Sequence, residues 1–316
     1  MSDESAETVE GSSEYWFAGK DLPVLIYKVN RRPLSADPTL FDPPPNPLTH
    51  LDKTLRRFGG PVAWGRAHQR DWRVGNLALD DIGGTLTGMV GWARSDSGIT
   101  NVWDDEAQGW RDLVVARDVS AVAPFAFVAD GRYLGVLRHP SFTERNVESV
   151  LTTMLNRSER QSGLPTVKWA VEPVGDEREF YEWLESVGSV TELKFVFERP
   201  NPDAEDSFQE IFARLDRLEA ERIRETITAR DREAGLSRDG LRSDPLSVGF
   251  IAAAMAAFGY VIGTAYRGGK RVVYDQRRQV LTEPLEEVAS EWLSATNQVL
   301  EAVKRVSRRR ARGADG

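Results

Sequence analysis

Cysteine is absent from all 316 residues. Disulfides, thiolate nucleophiles and Cys-ligated zinc or iron–sulfur clusters are therefore excluded, and the lack suits a reducing compartment. Histidine is nearly absent. His50, His68 and His139 stand far apart, with no HExxH and no pair at helical spacing, so loop or packing roles are expected of them. No GxSxG elbow is present for a hydrolase nucleophile. A phosphate loop is missing too. The stretch from Gly263 to Arg271 has the glycine-rich look, but Gly269 stands where the lysine belongs, and Arg271 follows Lys270 where magnesium needs Ser or Thr. It reads as a Gly-Gly hairpin turn. No cofactor is expected.

Positive charge is lacking at the start. Residues 1–14 hold five acids and no base, with no apolar core, so no signal peptide is expected and the segment reads as a solvated acidic tail. Long apolar runs are scarce. The nearest is 245–266, 22 residues without a charge, followed by Arg267, Lys270 and Arg271 as at a cytoplasmic membrane flank. Gly249, Gly259, Gly263 and six alanines dilute it. Its pattern also changes at Phe258-Gly259-Tyr260: Val248, Ile251, Met255 and Phe258 share a helical stripe, whereas Val261, Ile262 and Tyr266 suit a strand. A buried helix leading into a strand is expected, and a cytoplasmic protein.

Apolar residues make up 41% and charged residues 28%, which fits a globular chain with material for a core. At about 150 residues per domain, two domains are expected. The predicted class is α+β, a β-rich N-terminal half followed by an α/β half with a terminal helix. After the tail at 1–14, the β-rich domain spans 15–140 and includes a Pro-rich arm at 31–47, too irregular for regular structure. The α/β domain spans 141–283, and 284–316 forms a C-terminal helix and basic tail.

Within these bounds, Leu22–Val29 reads as a strand and Thr49–Phe58 as a helix ending at Gly59-Gly60. Residues 62–138 read as antiparallel β, with turns at Asp81, Gly83, Gly84 and at Asp130-Gly131. Helices are predicted at 142–156, 176–187, 207–221 and 246–258, and strands at 167–171 and 193–197. Ile223–Ala229 can extend a helix or form a strand, with β-branched Ile223, Thr226, Ile227 and Thr228 favouring the strand. A hairpin of Tyr260–Tyr266 with Arg271–Tyr274 follows. The last helix is placed from Pro284 to about Arg308, and its stripe of Leu285, Val288, Trp292, Leu300 and Val303 suggests a homodimer or higher oligomer.

Net charge is −8, unevenly spread. Two basic patches stand out: Arg267, Lys270, Arg271, Arg277 and Arg278 around the hairpin, and Lys304, Arg305, Arg308, Arg309 and Arg310 near the end. Local field rather than net charge decides an encounter, so either patch can contact phosphates. A cation-rich last turn also suits the helix macrodipole, and solvated faces explain either patch equally well. One enzymatic pattern competes. Glu192 and Lys194, two apart on a strand, share a face as in restriction-type nucleases, with Asp176 as the upstream acid. Such a triplet is common by chance in so charged a chain.

Residues 190–285 also carry a recognisable order. A strand ends in Arg199-Pro200-Asn201, a helix follows, and a charged segment closes on Gly235-Leu236; then come an Ala-rich helix, the Phe258-Gly259-Tyr260 junction and a basic hairpin. This resembles the C-terminal half of a loose group of bacterial phage-defence and phage-exclusion proteins, including the B component of the Kiwa system and the lambda Rex A protein. The resemblance implies a cytosolic, oligomeric DNA-binding protein that senses or acts on phage replication intermediates, without a recognised catalytic centre, and it admits a second defence-system subunit as partner. The expected function is DNA binding by the ten basic residues without catalysis. The alternatives are a metal-dependent nuclease using Glu192 and Lys194, or a protein–protein adaptor docking through the Pro-rich arm or the final helix.

Overall fold

The computed structural model describes residues 16–34, 46–58, 62–64, 70–104, 109–163, 167–198, 209–220 and 222–314. In chain order they form β1 (Leu22–Pro33), α1 (Pro47–Arg57), β2 (Val62–Trp64), β3 (Arg70–Asp80), β4 (Thr85–Asp104), β5 (Gly109–Val128), β6 (Tyr133–Leu137), α2 (Glu144–Gln161) and β7 (Val167–Pro173). Then follow α3 (Glu177–Ser186), β8 (Ser189–Glu198), α4 (Gln209–Arg217), β9 (Arg222–Thr228), α5 (Arg238–Ser243), α6 (Pro245–Met255), β10 (Gly259–Arg267), β11 (Lys270–Asp275), β12 (Thr282–Leu285) and α7 (Trp292–Ala314). The class is α+β, with a β-rich N-terminal half and a terminal helix.

Two antiparallel sheets organise the chain. The first runs β12-β1-β6-β5-β4-β3-β2, with β7 also paired to β1, and the second runs β11-β10-β8-β9. β12 takes Leu22–Leu25 of β1, and β7 takes Tyr27–Pro33, so both returning strands complete the N-terminal one. The change of pattern near residue 140 therefore does not separate the sheets: α2 and β7 beyond it belong with the first core, through Val147, Val150, Met154, Trp169 and Val171. Arg31, Arg32 and Pro33, read as the start of an irregular arm, continue β1; residues 35–45 of that arm, and Gly59-Gly60, lie outside the described residues.

Local chemistry sets most element ends. Asn46 caps α1 by accepting from the Leu48 and Thr49 amides at 2.9 and 3.3 Å, and Pro47 supplies the preset first turn. Asp176 and Asp244 cap α3 and α6 in the same way. Residues 223–228 take the strand alternative, and burial alternates along β9 with Ile223 inward and Arg222 and Arg224 outward. No helix among the described residues is long and apolar enough to cross a membrane; the uncharged run divides into α6 and β10. The division falls at Gly259, whose φ is 154° and where any Cβ would be driven into the Val196 carbonyl oxygen.

The last helix begins later than its pattern suggested. Thr282–Leu285 is a strand, with Pro284 opposite Pro23, which is tolerated because β12 is an edge. Glu287 then turns the chain at φ 47°, and the helix starts at Trp292. Its apolar stripe is buried within the chain itself: Ala295, Val299, Ala302, Val303 and Val306 belong to the first core, and Val303 sits over Gly135 of β6. The stripe thus supplies no uncovered face for a second copy.

Candidate nucleic-acid interface

The β10–β11 hairpin closes between Arg267 and Lys270, and its two loop residues, Gly268 and Gly269, have φ of 54° and 77°. Two successive positive φ values define the tight turn that matches strand twist, which is why the pair is glycine. Lys270 and Arg271 are exposed beside it, and neither has an acidic partner among the described residues. Arg267 is exposed too, but its Nε donates to the Ser186 carbonyl at 3.0 Å, pinning the hairpin to the end of α3.

The second sheet has one covered face and one outward face. α3 and α6 cover the inner side: Phe180 and Trp183 meet Tyr274 at 5.2 Å between ring centroids, and Phe250 meets Phe195 and Phe197. Strand pairing sets the outward side. Arg271 lies opposite Tyr266, Val273 opposite Thr264, and Asp275 opposite Ile262; Glu192 lies between Thr264 and Thr228, and Lys194 between Ile262 and Thr226. Arg271, Val273, Arg224, Thr226 and Thr228 are exposed, and Tyr260, Ile262, Thr264, Tyr266 and Lys194 half-buried; Val196, opposite Tyr260, is fully buried.

Sequence reasoning passed over Arg224, Arg230 and Arg232 here, and took Lys194 only as part of the nuclease pattern. Lys194 and Arg224 share the outward face, and Arg230 and Arg232 follow β9 at its hairpin end. The Arg232 guanidinium lies 4.3 Å from the Tyr266 ring centroid and donates to the Tyr266 hydroxyl. The loop carrying it is shaped by Asp231, which accepts from the Ala234 and Glu233 amides; those bonds hold its carboxyl below the usual range. The available signals were the alternation of β9 and this Asp-centred turn. Arg277 is more committed: it makes two bonds to Asp275 and lies 4.5 Å from the Tyr260 centroid. Burial alone would raise Asp275, but Arg277 and Arg278 hold it below its ordinary value. Arg278 is largely exposed, 3.9 Å from Asp275.

The second patch is differently disposed. Arg305 and Arg309 both bond to Glu283 of β12, at 3.0 and 2.5 Å. Lys304 and Arg308 reach Glu301 at 3.0 and 3.7 Å, and Arg310 donates to the Gly175 carbonyl at 2.6 Å. Arg305, Arg309 and Arg310 thus fasten α7 to the body, whereas Lys304 and Arg308 pair within the helix. Gly175 adjoins Gln276, so Arg310 ends near Arg277 and Arg278, at the end of β11 remote from the turn and from Lys270 and Arg271.

The nuclease pattern is only half assembled. Glu192 and Lys194 share the outward face as their spacing demands, but Asp176 caps α3, on the opposite side of the sheet. No group of three or more metal-ligating side chains occurs among the described residues. His50 and His139 are packed. His50 Nε2 lies 3.0 Å from Glu159 and its ring faces Trp169. His139 Nδ1 accepts from the Ser141 amide, and burial, then Lys20, lowers it to about 4. His68 lies outside the described residues. At the junction of the sheets, Arg32 bonds to Glu172 and Glu198, and Glu198 also to Arg222. Burial nonetheless pushes Glu172 up, and burial together with the charge of Glu172 raises nearby Glu148 to about 7.

Residues 104–282, more than half of the chain, match a family model described as a domain of unknown function, DUF4747. The chain belongs to that family. The matched span contains all four strands of the second sheet, its hairpin and both outward tyrosines, and ends before α7. No curated protein matches the chain.

Proposed function

We propose that this chain binds nucleic acid, DNA in the first instance, through the β10–β11 hairpin, as a non-catalytic cytosolic component of a bacterial antiphage defence system. The observation that carries the binding is the pair Lys270 and Arg271, exposed beside a tight two-glycine turn without an acidic partner among the described residues, in a chain of net charge −8. Cations left unpaired in an acidic protein are available to replace the counterions of phosphates. Arg267, Arg230 and Arg232 flank them at the same end of the sheet. The C-terminal cations contribute less, since four of the five are engaged with Glu283 or Glu301. The defence setting rests on the resemblance carried by residues 190–285.

Phosphate contacts position a protein without reading bases, so binding should be steeply salt-dependent and nearly blind to sequence. Each duplex phosphate neutralised contributes ~0.9 to the slope of log affinity against log salt, so the Lys270→Ala/Arg271→Ala protein should lose about 1.8 from that slope. Fluorescence anisotropy at several salt concentrations, wild type beside variant, measures both. Absence of wild-type binding at low salt would refute the proposal; an unchanged slope would remove the hairpin from it.

A further inference from the structure

We infer that the outward face of the second sheet accepts single-stranded nucleic acid, with Tyr266 and Tyr260 as base-stacking platforms and the hairpin cations on the phosphates. This deepens the binding reading above and rests on it. Both tyrosines project from β10 on the side away from α3 and α6, and each is half-buried rather than enclosed. They are six positions apart, which along a strand is ~20 Å, about the reach of six stacked nucleotides at ~3.4 Å each and of fewer when the strand is extended. Between and beside them lie Ile262, Thr264 and Val273, and Val273 is 53% exposed in the middle of a strand. That floor suits sugars and base faces better than water.

Charge on the face is arranged to match. Lys194, Arg224 and Arg271 have no acidic partner among the described residues, whereas two of the three acids there, Asp275 and Glu198, are occupied by Arg277 and by Arg32 with Arg222. Glu192 remains. The guanidinium groups of Arg232 and Arg277 lie against the Tyr266 and Tyr260 rings at 4.3 and 4.5 Å and hold them in place. A ring so fixed costs little further ordering when a base stacks on it. A duplex can reach the hairpin with its phosphates, but its bases are stacked on one another and cannot lie on the tyrosines. Exposed aromatics in a basic setting are the usual device for sequence-tolerant single-strand binding.

The test titrates full-length protein against labelled dT20, U20 and a 20-base-pair duplex at one salt concentration, by anisotropy. Wild type should bind single strands about tenfold or more tighter than the duplex, and the dT20 and U20 arms separate DNA from RNA. Tyr266→Leu and Tyr260→Leu should each weaken single-strand binding by about five- to tenfold with duplex affinity unchanged, while Tyr266→Phe and Tyr260→Phe retain the ring and the affinity. Equal binding of duplex and single strand, or Phe variants as damaged as Leu, overturns the inference. If Lys270→Ala/Arg271→Ala weakens all three ligands and the tyrosine variants weaken none, hairpin binding stands and the platform falls. If none of the three binds at low salt, both fall. Should a Leu variant fail to fold, the wild-type preference and the Phe variants still decide.

Discussion

Replacing Glu148 by glutamine should stabilise the protein at pH 8 and change little at pH 4.5. Glu148 lies on α2, where burial and then the charge of Glu172 raise it from 4.5 to about 7, against smaller favourable effects of Arg145 and Arg277. A carboxyl raised in the folded state is bound to its proton there and releases it on unfolding. Its contribution is therefore fully present below the unfolded value and is lost as pH rises through the folded one, here between 4.5 and about 7. The full difference corresponds to ~3.4 kcal/mol at ~1.36 kcal/mol per tenfold in proton affinity. Because Glu148 keeps some contact with water, screening reduces this to about 1–2 kcal/mol. Glutamine is isosteric and neutral throughout, so the variant should gain that amount at pH 8. His139, lowered to about 4 by burial, acts in the opposite sense, destabilising the fold as pH falls below 6.5, but it is common to both proteins and cancels in the comparison. Urea denaturation at pH 4.5, 6 and 8, comparing midpoints at constant m, measures the difference. The same offset at every pH would refute the account of Glu148.

The remaining predictions concern the fastening of α7 and the second sheet. Glu283→Gln removes the acid under Arg305 and Arg309; it should cost about 1–2 kcal/mol in urea unfolding. Gly259→Ala should cost more than about 3 kcal/mol, visible as a large drop in melting temperature, because φ 154° strains any side chain and the Val196 carbonyl occupies the space.

What could be read from sequence was whatever neighbouring residues decide. Gly268-Gly269 and Asp130-Gly131 announced their hairpins because positive φ needs those residues, and Gly131 and both hairpin glycines have it. The β-branched run at 223–228 correctly favoured a strand. Pro284 and Leu285 were misplaced into a helix because their partners, Pro23 and Leu22, lie some 260 residues earlier, beyond the reach of any local period. The basic patches divide along the same line. Glu301 stands three residues before Lys304, a pairing any helix makes legible. Glu283 reaches Arg305 and Arg309 only because β12 folds beside α7, so their engagement could not be read from charge counts. The stacking of Arg232 on Tyr266 likewise joins segments 34 positions apart.

The clasp of β1 by β12 sets a timetable for synthesis. Strand β1 is made well before its partners: half of one edge waits for residues 282–285, and the helix covering β6 waits for residues 292–306. Pairings of such long separation close slowly, and until they do the apolar faces of β1 and β6 stand open to other chains. A ribosome-bound chain halted before residue 282 should therefore be prone to aggregation or chaperone capture. The second sheet, whose strands all lie between 189 and 275, has every partner it needs by then.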